Sequence, residues 1–366
     1  MAEETKISFD QISEEETVLS TLISDEEMTV LYERIRARLR GGIECDGISH
    51  SLVTYGGMLE SGSSSFGAPR TLYDCLLHAY TESKRYRNGE LVIYNESRAD
   101  GDGLSERVAT VHDIRKSLHM DFDGFYLLHQ PVFKAPGEKP VGAQSCLMWR
   151  GDDGTSLNPE DFLPEISHDA VFDKLGYWFI KKALCDGGEF TDADPNFRLY
   201  LPITPNFIED RYFADNVTEI ASETKFPLTN LSMLLMKEFR LAPIEKQFQF
   251  VSCLKAKGIK IGLDDFALGP DWLKAFRELS PDFVRFPASI TEHIAEDGKD
   301  MTIFSHLADM VKSCGTEIFA RGVDEDRIRD ILFTLSLDGI QGDSLMKFSF
   351  YDEVLDLYVA ENADHQ

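Results

Sequence analysis

From residue 124 to residue 340 the sequence repeats one unit, a short apolar run followed by a segment with helical spacing, such as residues 177–185. Alternation of this kind predicts a parallel sheet in which a helix follows each strand. About eight such units suffice to close a (β/α) barrel of the TIM type. We therefore predict an α/β fold with a TIM-type barrel. Its predicted strands are residues 124–132, 141–149, 197–204, 230–236, 259–263, 283–286, 317–319 and 339–340.

Two adjacent carboxylates stand at the end of one predicted strand. The helical segment 246–257 ends at Gly258, the strand 259–263 follows, and Asp264 and Asp265 come directly after it. In a parallel α/β architecture, the carboxyl ends of the strands face the ligand. One interpretation is therefore that the pair supplies metal ligands or catalytic acids. The other is that it only caps the next helix, and the pair alone leaves both open.

A smaller α/β domain is predicted before the barrel, since 366 residues are enough for two domains. Residues 95–103 are polar and rich in turn formers, which indicates a linker, and residues 105–120 have helical spacing. We predict a first domain at residues 1–98, a linker and connecting helix at 99–120, and the barrel domain at 121–366. The predicted elements of the first domain are strands at 17–23, 48–59 and 90–94 and helices at 26–39 and 71–84.

Charge and cysteine usage restrict the function classes. A net charge of −27 argues against non-specific binding to nucleic acid or to an anionic membrane. The acidic residues 1–5 have no apolar signal-peptide core, and no apolar run reaches the length of a membrane-spanning helix. The six cysteines are far apart and lack CxxC spacing, which favours reduced thiols. We therefore predict a cytoplasmic protein without a membrane span and without bound nucleic acid.

Four motifs in the second half of the chain carry a family resemblance. The segment Leu263-Asp264-Asp265-Phe266 is followed by residues 279–286 (LSPDFVRF), 318–324 (IFARGVD) and 338–342 (DGIQG). The order of these motifs resembles the EAL family of cyclic di-GMP phosphodiesterases. The resemblance implies a barrel of the EAL kind, in which two divalent cations cut a phosphodiester at the carboxyl ends of the strands.

Many of the positions that would serve this chemistry differ in this chain. Asp264, Asp265 and Gln341 are retained. Other positions carry a neutral side chain or a cation instead of the family's residue, namely Gln144, Pro202, Leu234, Lys237, Arg285 and Arg321. A cation about 4 Å away disfavours a divalent ion by several kcal/mol at an effective dielectric of about 20. The resemblance thus implies no catalytic residue, no metal and no other cofactor. Magnesium or manganese would be needed only if residual phosphodiesterase activity exists.

The first domain resembles the C-terminal half of a GGDEF domain, the diguanylate cyclase fold. Residues 13–17, Ser-Glu-Glu-Glu-Thr, fall roughly where the signature would stand, but they include neither of its glycines. Three glutamates would repel a triphosphate. We therefore expect a truncated, degenerate GGDEF-like domain that is not catalytic.

Three functions follow as alternatives. The first is a catalytically inactive signalling or scaffold protein in cyclic di-GMP signalling, which acts by binding a ligand or a protein. The second is a residual phosphodiesterase that cuts a cyclic dinucleotide. The third is an interaction platform that binds no nucleotide. The expected partners are cyclic di-GMP or another phosphate-bearing ligand, a protein partner, and a second copy of the chain through the barrel, as the resemblance implies.

The candidate ligand-binding residues at the barrel mouth are Asp264, Asp265, Lys237, Arg285, Arg321, Gln341 and Gln144. We expect the cations to replace the metals, forming a metal-independent cluster of ion pairs. Structural interpretations stand beside this one: Asp264 pairs only with Arg285 or Lys237, and the glutamines only satisfy backbone groups. Whether any donor is left for a ligand stays open at this point.

Overall fold

A computed structural model describes residues 8–11, 17–21, 24–40, 43–45, 48–50, 54–59, 75–76, 79–80, 83, 91–94, 104–135, 140–167, 171–267, 269–295 and 298–363. The chain divides into two compact units. The first comprises Met1–Lys116 with Pro164–Ile166, and the second comprises Ser117–Leu163 with Ser167–Gln366. No helix in the described ranges combines the length and the apolar character that a membrane crossing requires.

The described residues of the first unit include three two-stranded pairings, helix α1, single helical stretches at 75–76, 79–80 and 83, and most of the helix Leu104–His119. Helix α1 begins after Ser24, whose hydroxyl accepts a hydrogen bond from the Glu27 N–H at 3.3 Å. The Glu27 carboxylate in turn accepts one from the Ser24 N–H at 3.1 Å, a capping box. Strands β1–β2 and β3–β4 are antiparallel, whereas β5–β6 is parallel. The elements are β1 (Ser8–Gln11), β2 (Thr17–Ser20), α1 (Asp25–Arg40), β3 (Ile43–Cys45), β4 (Ile48–His50), β5 (Gly56–Leu59) and β6 (Leu91–Tyr94).

One sequence-based prediction for this unit is wrong, and two others concern residues that the structure does not describe. The single strand predicted at 48–59 is instead the separate strands β4 and β5, which pair with different partners. The signature-like residues 13–16 and the predicted linker at 95–103 lie outside the described residues.

The second unit is an eight-stranded closed barrel with helices around it, which confirms the predicted TIM-type fold. The strands follow the order β10-β11-β12-β13-β14-β15-β7-β8, and β8 pairs with β10 to close the circle. The barrel strands are β7 (Phe125–Phe133), β8 (Pro140–Arg150), β10 (Arg198–Ile203), β11 (Leu231–Leu235), β12 (Lys260–Leu263), β13 (Phe283–Phe286), β14 (Glu317–Ala320) and β15 (Gly339–Ile340). The short strand β9 (Ser156–Leu157) pairs with β8 and is not part of the ring.

Helices connect most of these strands, and single 3₁₀ turns lie at Pro205–Glu209, Leu228–Asn230 and Lys237–Leu241. The helices described after α1 are α2 (Leu104–His119), most of which belongs to the first unit, and α3 (Pro159–Ile166), α4 (Phe172–Ala193), α5 (Phe213–Thr224), α6 (Ile244–Ala256), α7 (Pro270–Leu279), α8 (Ala288–Thr291), α9 (Gly298–Ser313), α10 (Asp326–Phe333) and α11 (Tyr351–Ala363).

Strand β7 departs from the predicted all-parallel sheet. It runs antiparallel to both of its neighbours, β8 and β15. The reason is the connection to β8, which consists only of residues 134–139 and is too short for a crossover helix. A direct connection of this length joins antiparallel strands, whereas parallel strands need a longer crossover. The register places Gln130 opposite Gln144.

The interior of the barrel is filled by large apolar side chains. Val132, Tyr200, Leu234, Phe283 and Phe319 form one buried cluster. Within it, the rings of Tyr200, Phe283 and Phe319 contact one another. The residual cavity among them is about 10 Å³. That volume holds about one water molecule, so ligands have access only to the ends of the barrel.

Candidate functional site

The carboxyl end of β12 positions the two predicted aspartates. The Asp264 N–H donates to the Leu235 carbonyl at 3.1 Å, and the Phe266 N–H donates to the Arg285 carbonyl at 2.9 Å, which continues the sheet contacts past the strand. Asp265 has a φ of 52°, in the left-handed region. Its N–H donates to Asp264 Oδ1 at 2.9 Å. The turn therefore holds Asp264 inward and separates the directions of the two carboxylates.

The Arg285 guanidinium is the centre of the site. It donates to both Asp264 oxygens, from Nε to Oδ1 and from Nη2 to Oδ2, each at 2.7 Å. Its Nη1 donates to Gln341 Oε1 at 3.1 Å and also to Gln144 Oε1. Only 6% of the Arg285 side chain and 3% of the Asp264 side chain are exposed. We call Arg285, Asp264, Gln144 and Gln341 the guanidinium cluster.

Positive charge around Asp264 keeps its carboxylate ionised. Burial alone would raise the pKa of Asp264, but the positive charges of Arg285 and, less strongly, Arg321 lower that pKa below its usual value. The bidentate geometry is the strong form of an arginine–carboxylate pair. Asp264 is therefore a carboxylate at neutral pH, and its two oxygens are already engaged.

A second ion pair lies beside the cluster and is more open to solvent. Arg321 Nη2 donates to Asp265 Oδ1 at 2.5 Å, and 34% of the Arg321 side chain is exposed. Burial would lower the pKa of Arg321, but Asp264 and Asp265 raise it above its usual value. Arg321 Nε is buried and has no hydrogen-bond partner. Arg321 thus uses only part of its donor capacity within the protein.

Lys237 lies outside this arrangement. It begins the 3₁₀ turn Lys237–Leu241, 57% of its side chain is exposed, and its ammonium lies 4.0 Å from the Glu238 carboxylate. Of the two partners considered for Asp264, the structure pairs it with Arg285. The structure brings together Asp264, Asp265, Arg285, Arg321, Gln144 and Gln341, and places Lys237 on the rim.

Gln130 is a site residue that was not among the candidates. Its Nε2 donates to the Met346 carbonyl at 3.0 Å and to Asp343 Oδ1 at 3.4 Å, while its own carbonyl accepts from Gln341 Nε2 at 3.5 Å. It thereby fixes the segment after β15 next to the guanidinium cluster. The available signal was the adjacent polar residues His129 and Gln130 in the otherwise largely apolar strand at 124–132.

Behind the mouth, a second polar network is sealed between the barrel wall and α4. Ser145 Oγ lies 3.1 Å from His129 Nδ1, and Asp186 Oδ2 lies 3.2 Å from His129 Nε2. Lys182 donates to the other Asp186 oxygen at 3.1 Å. Ser145 and His129 have no exposed surface, so this serine–histidine–aspartate arrangement has no access for a substrate. It ties α4 to β7 and β8.

The residues of the mouth do not fit the two divalent cations that the resemblance implies. Hard cations require six or more oxygen ligands or waters, and both oxygens of Asp264 already accept hydrogen bonds from a guanidinium. Leu234, at a position of a family carboxylate, lies in the apolar cluster instead. Among the residues described, no group of three or more His, Cys, Asp or Glu side chains is arranged around a common point.

Comparison with known proteins agrees with the motif order. The EAL domain family matches residues 112–347. The probable cyclic di-GMP phosphodiesterase PdeI of Escherichia coli is 23% identical over 258 residues, which cover 68% of this chain and 32% of PdeI. The bifunctional diguanylate cyclase/cyclic di-GMP phosphodiesterase MucR of Pseudomonas aeruginosa is 21% identical over 286 residues, covering 75% of this chain and 40% of MucR. The chain thus spans less than half the length of these relatives.

Solved structures share the barrel. The MucR phosphodiesterase in complex with cyclic di-GMP superposes with a TM-score of 0.62 at 19% identity, over 67% of this chain and 99% of that structure. The FimX EAL domain of Xanthomonas citri, in complex with the same dinucleotide, gives 0.59 at 21% identity, over 69% and 98%. At these identities the likeness shows the fold.

Proposed function

The chain belongs to the EAL domain family, and from this premise we propose that it acts in cyclic di-GMP signalling by binding, without phosphodiesterase activity. The family's chemistry needs divalent cations to neutralise phosphate charge and to generate hydroxide. In this chain, the side-chain oxygens of Asp264, Gln144 and Gln341 instead accept hydrogen bonds from the Arg285 guanidinium.

The observation that carries the proposal is the bidentate contact between Arg285 and Asp264. A metal ion at Asp264 would have to displace a buried guanidinium and leave its charge without a carboxylate. Breaking a buried pair in this way costs about 3–5 kcal/mol. The neutral Gln144 offers one amide oxygen in place of a carboxylate, and that oxygen accepts from Arg285 as well.

For the ligand, we propose that Arg321 supplies the contact. Its guanidinium makes one ion pair with Asp265 and is partly exposed, so it has donors for a phosphate oxygen. Arg285 has none to spare for a bidentate contact, because it already serves four oxygen atoms. Lys237 adds an exposed cation near this end of the barrel. The ligand would be cyclic di-GMP or another phosphate-bearing molecule, held without metal.

The decisive experiment is calorimetric titration with cyclic di-GMP in EDTA and in magnesium, with a hydrolysis assay on the same samples. We expect binding in both buffers and no turnover. Arg321→Ala should weaken binding about tenfold or more, as expected for losing a hydrogen bond to a charged group. Lys181→Ala is the matched control for Lys237→Ala, because Lys181 is also 57% exposed and paired with a glutamate.

The other outcomes select the alternative functions. Turnover that depends on magnesium or manganese would make the chain a residual phosphodiesterase. Absence of binding in both buffers would leave an interaction platform that binds no nucleotide.

We further propose that the first unit is a truncated GGDEF-like domain without cyclase activity, which presents a surface to a protein partner. The barrel would form a homodimer, as the family resemblance implies. A monomeric mass by light scattering at micromolar concentration would contradict the dimer.

A further inference from the structure

An exposed group of aromatic side chains with one arginine lies on the hairpin of β7 and β8, away from the guanidinium cluster. The rings of Tyr126 and Phe350 are 5.8 Å apart, and the Arg150 guanidinium carbon lies 4.8 Å from the centre of the Tyr126 ring. Arg150 follows Gln144 on β8, and the length of strand between them corresponds to about 20 Å. We call Tyr126, Arg150 and Phe350 the aromatic–arginine surface.

The Arg150 side chain is exposed and fixed in place, but its charge is not paired within the described part of the chain. The guanidinium covers the Tyr126 ring, and its Nε donates to Ser156 Oγ at 3.4 Å. The same Ser156 oxygen accepts from the Tyr126 hydroxyl at 3.2 Å. Neither Nη atom has a partner among the described residues, so both are left for an external ligand. A planar guanidinium held in this way is suited to a bidentate contact with a carboxylate.

Three aromatic side chains at this place are open to solvent. Phe348, Phe350 and Tyr351 are 36%, 45% and 40% exposed. At about 200 Å² for each side chain, roughly 240 Å² of aromatic surface is exposed. The backbone between the two phenylalanines is fixed, because Ser349 exchanges two hydrogen bonds with His129 of β7, at 2.7 and 2.9 Å. Aromatic residues and arginine are the side chains that are enriched at protein interfaces.

We infer that the aromatic–arginine surface binds a short segment of a partner protein in which a carboxylate lies next to an apolar side chain. The carboxylate meets the Nη atoms of Arg150, and the apolar side chain covers Phe350. The exposed area fits a segment and not a whole subunit, since a stable interface buries about 800 Å² on each side. A nucleobase does not fit in the same way, because the guanidinium already covers the Tyr126 ring on which it would stack. The inference is independent of any ligand at the mouth of the barrel.

The test begins with the selection of short random peptides, displayed on phage, on the immobilised full chain. We expect the selected peptides to share Asp or Glu next to Leu, Ile or Phe. Their affinity is then measured by fluorescence anisotropy. Arg150→Ala should weaken binding about tenfold or more, as expected for losing hydrogen bonds to a charged group. Phe350→Ala should have an effect of about the same size, and Arg150→Lys should restore binding only in part, because lysine has no planar fork.

Two control variants separate this surface from exposed charge and exposed apolar area in general. Arg277→Ala removes an exposed arginine that pairs with Glu278. Ile303→Ala removes an apolar side chain that is 43% exposed, close to the 45% of Phe350. We expect neither control to change the affinity. Circular dichroism verifies that each variant is folded, and the exposed Arg150 decides the test even if Phe350→Ala is unstable.

Three results would overturn the inference. Peptides that bind the native chain and Arg150→Ala equally well would show that their site lies elsewhere. Selection of basic peptides, or of no peptide, would show that the surface does not bind a carboxylate beside an apolar group. Displacement of the peptides by inorganic phosphate or by guanosine monophosphate would make it a phosphate or nucleotide site instead of a docking site for a protein segment.

Discussion

Replacing Asp264 with alanine strands the Arg285 guanidinium in the barrel with only two amide oxygens as partners. The two side chains are 3% and 6% exposed, so solvent cannot compensate for the lost carboxylate. Removing one partner of a buried ion pair costs about 3–5 kcal/mol. The contact from the Asp265 N–H to Asp264 Oδ1, at 2.9 Å, is lost as well, at about 1 kcal/mol. We expect Asp264→Ala to lower the free energy of unfolding by about 4 kcal/mol.

Urea denaturation followed by tryptophan fluorescence measures this change in the barrel. The chain's three tryptophans, Trp149, Trp178 and Trp272, all belong to the second unit. Asp265→Asn is the matched control, since its ion pair is 34% and 23% exposed and asparagine tolerates the left-handed backbone. We expect that control to cost less than about 1 kcal/mol. A loss below about 1 kcal/mol for Asp264→Ala would refute the argument that the pair is buried and structural.

The pH dependence of stability is an independent test of the buried ion pair between Asp264 and Arg285. The folded state lowers the pKa of Asp264, so its contribution to stability is fully present above the unfolded pKa and is lost as pH falls through the folded pKa. The unfolded value is about 3.9. The difference in stability between the native chain and Asp264→Asn should therefore be constant near neutral pH and should shrink below about pH 4. A difference that grows on acidification would contradict the ion pair.

Three further outcomes are expected. Gln144→Glu alone should give no cyclic di-GMP hydrolysis in magnesium, because Arg285 still engages Asp264; release of the linear dinucleotide would show otherwise. The Cys146 thiol should react slowly with iodoacetamide at neutral pH, since burial and then the Glu160 charge raise its pKa to about 12, and mass spectrometry should find exposed cysteines labelled first. Gly262→Ala should destabilise the barrel by at least about 1–3 kcal/mol in urea, because its Cβ would lie 2.3 Å from the Phe283 ring; an unchanged midpoint would contradict this tight packing.

The sequence predicted the barrel because most of the short apolar runs are strands with a helix after them. Strand β12 begins one residue after the predicted 259–263 and ends at the same residue. The reversed direction of β7 could not be read from hydrophobicity, since a buried strand has the same apolar pattern in either direction. It depends on the short connection of residues 134–139 between β7 and β8, which has no room for a crossover helix.

The site was less predictable than the fold. The sequence indicated that Asp264 lies near cations, but the choice between Arg285 and Lys237 depends on backbone geometry. Arg285 lies within β13, where its side chain enters the barrel, whereas Lys237 begins a 3₁₀ turn that carries it to the surface. Gln144 and Gln341 both contact Arg285 although the three residues lie on strands that are distant in sequence. A local sequence pattern cannot predict such contacts.

The pairing of β7 with β15 has a consequence for how the domain is made. These strands lie at opposite ends of the barrel's sequence, and their ladder pairs Phe133 with Ile340. During synthesis, one edge of β7 and one edge of β14 stay unpaired until β15 has been made. Such long-range closure is slow, and open sheet edges pair readily with other chains. The barrel therefore keeps unpaired edges that can aggregate until the two-residue strand Gly339–Ile340 pairs.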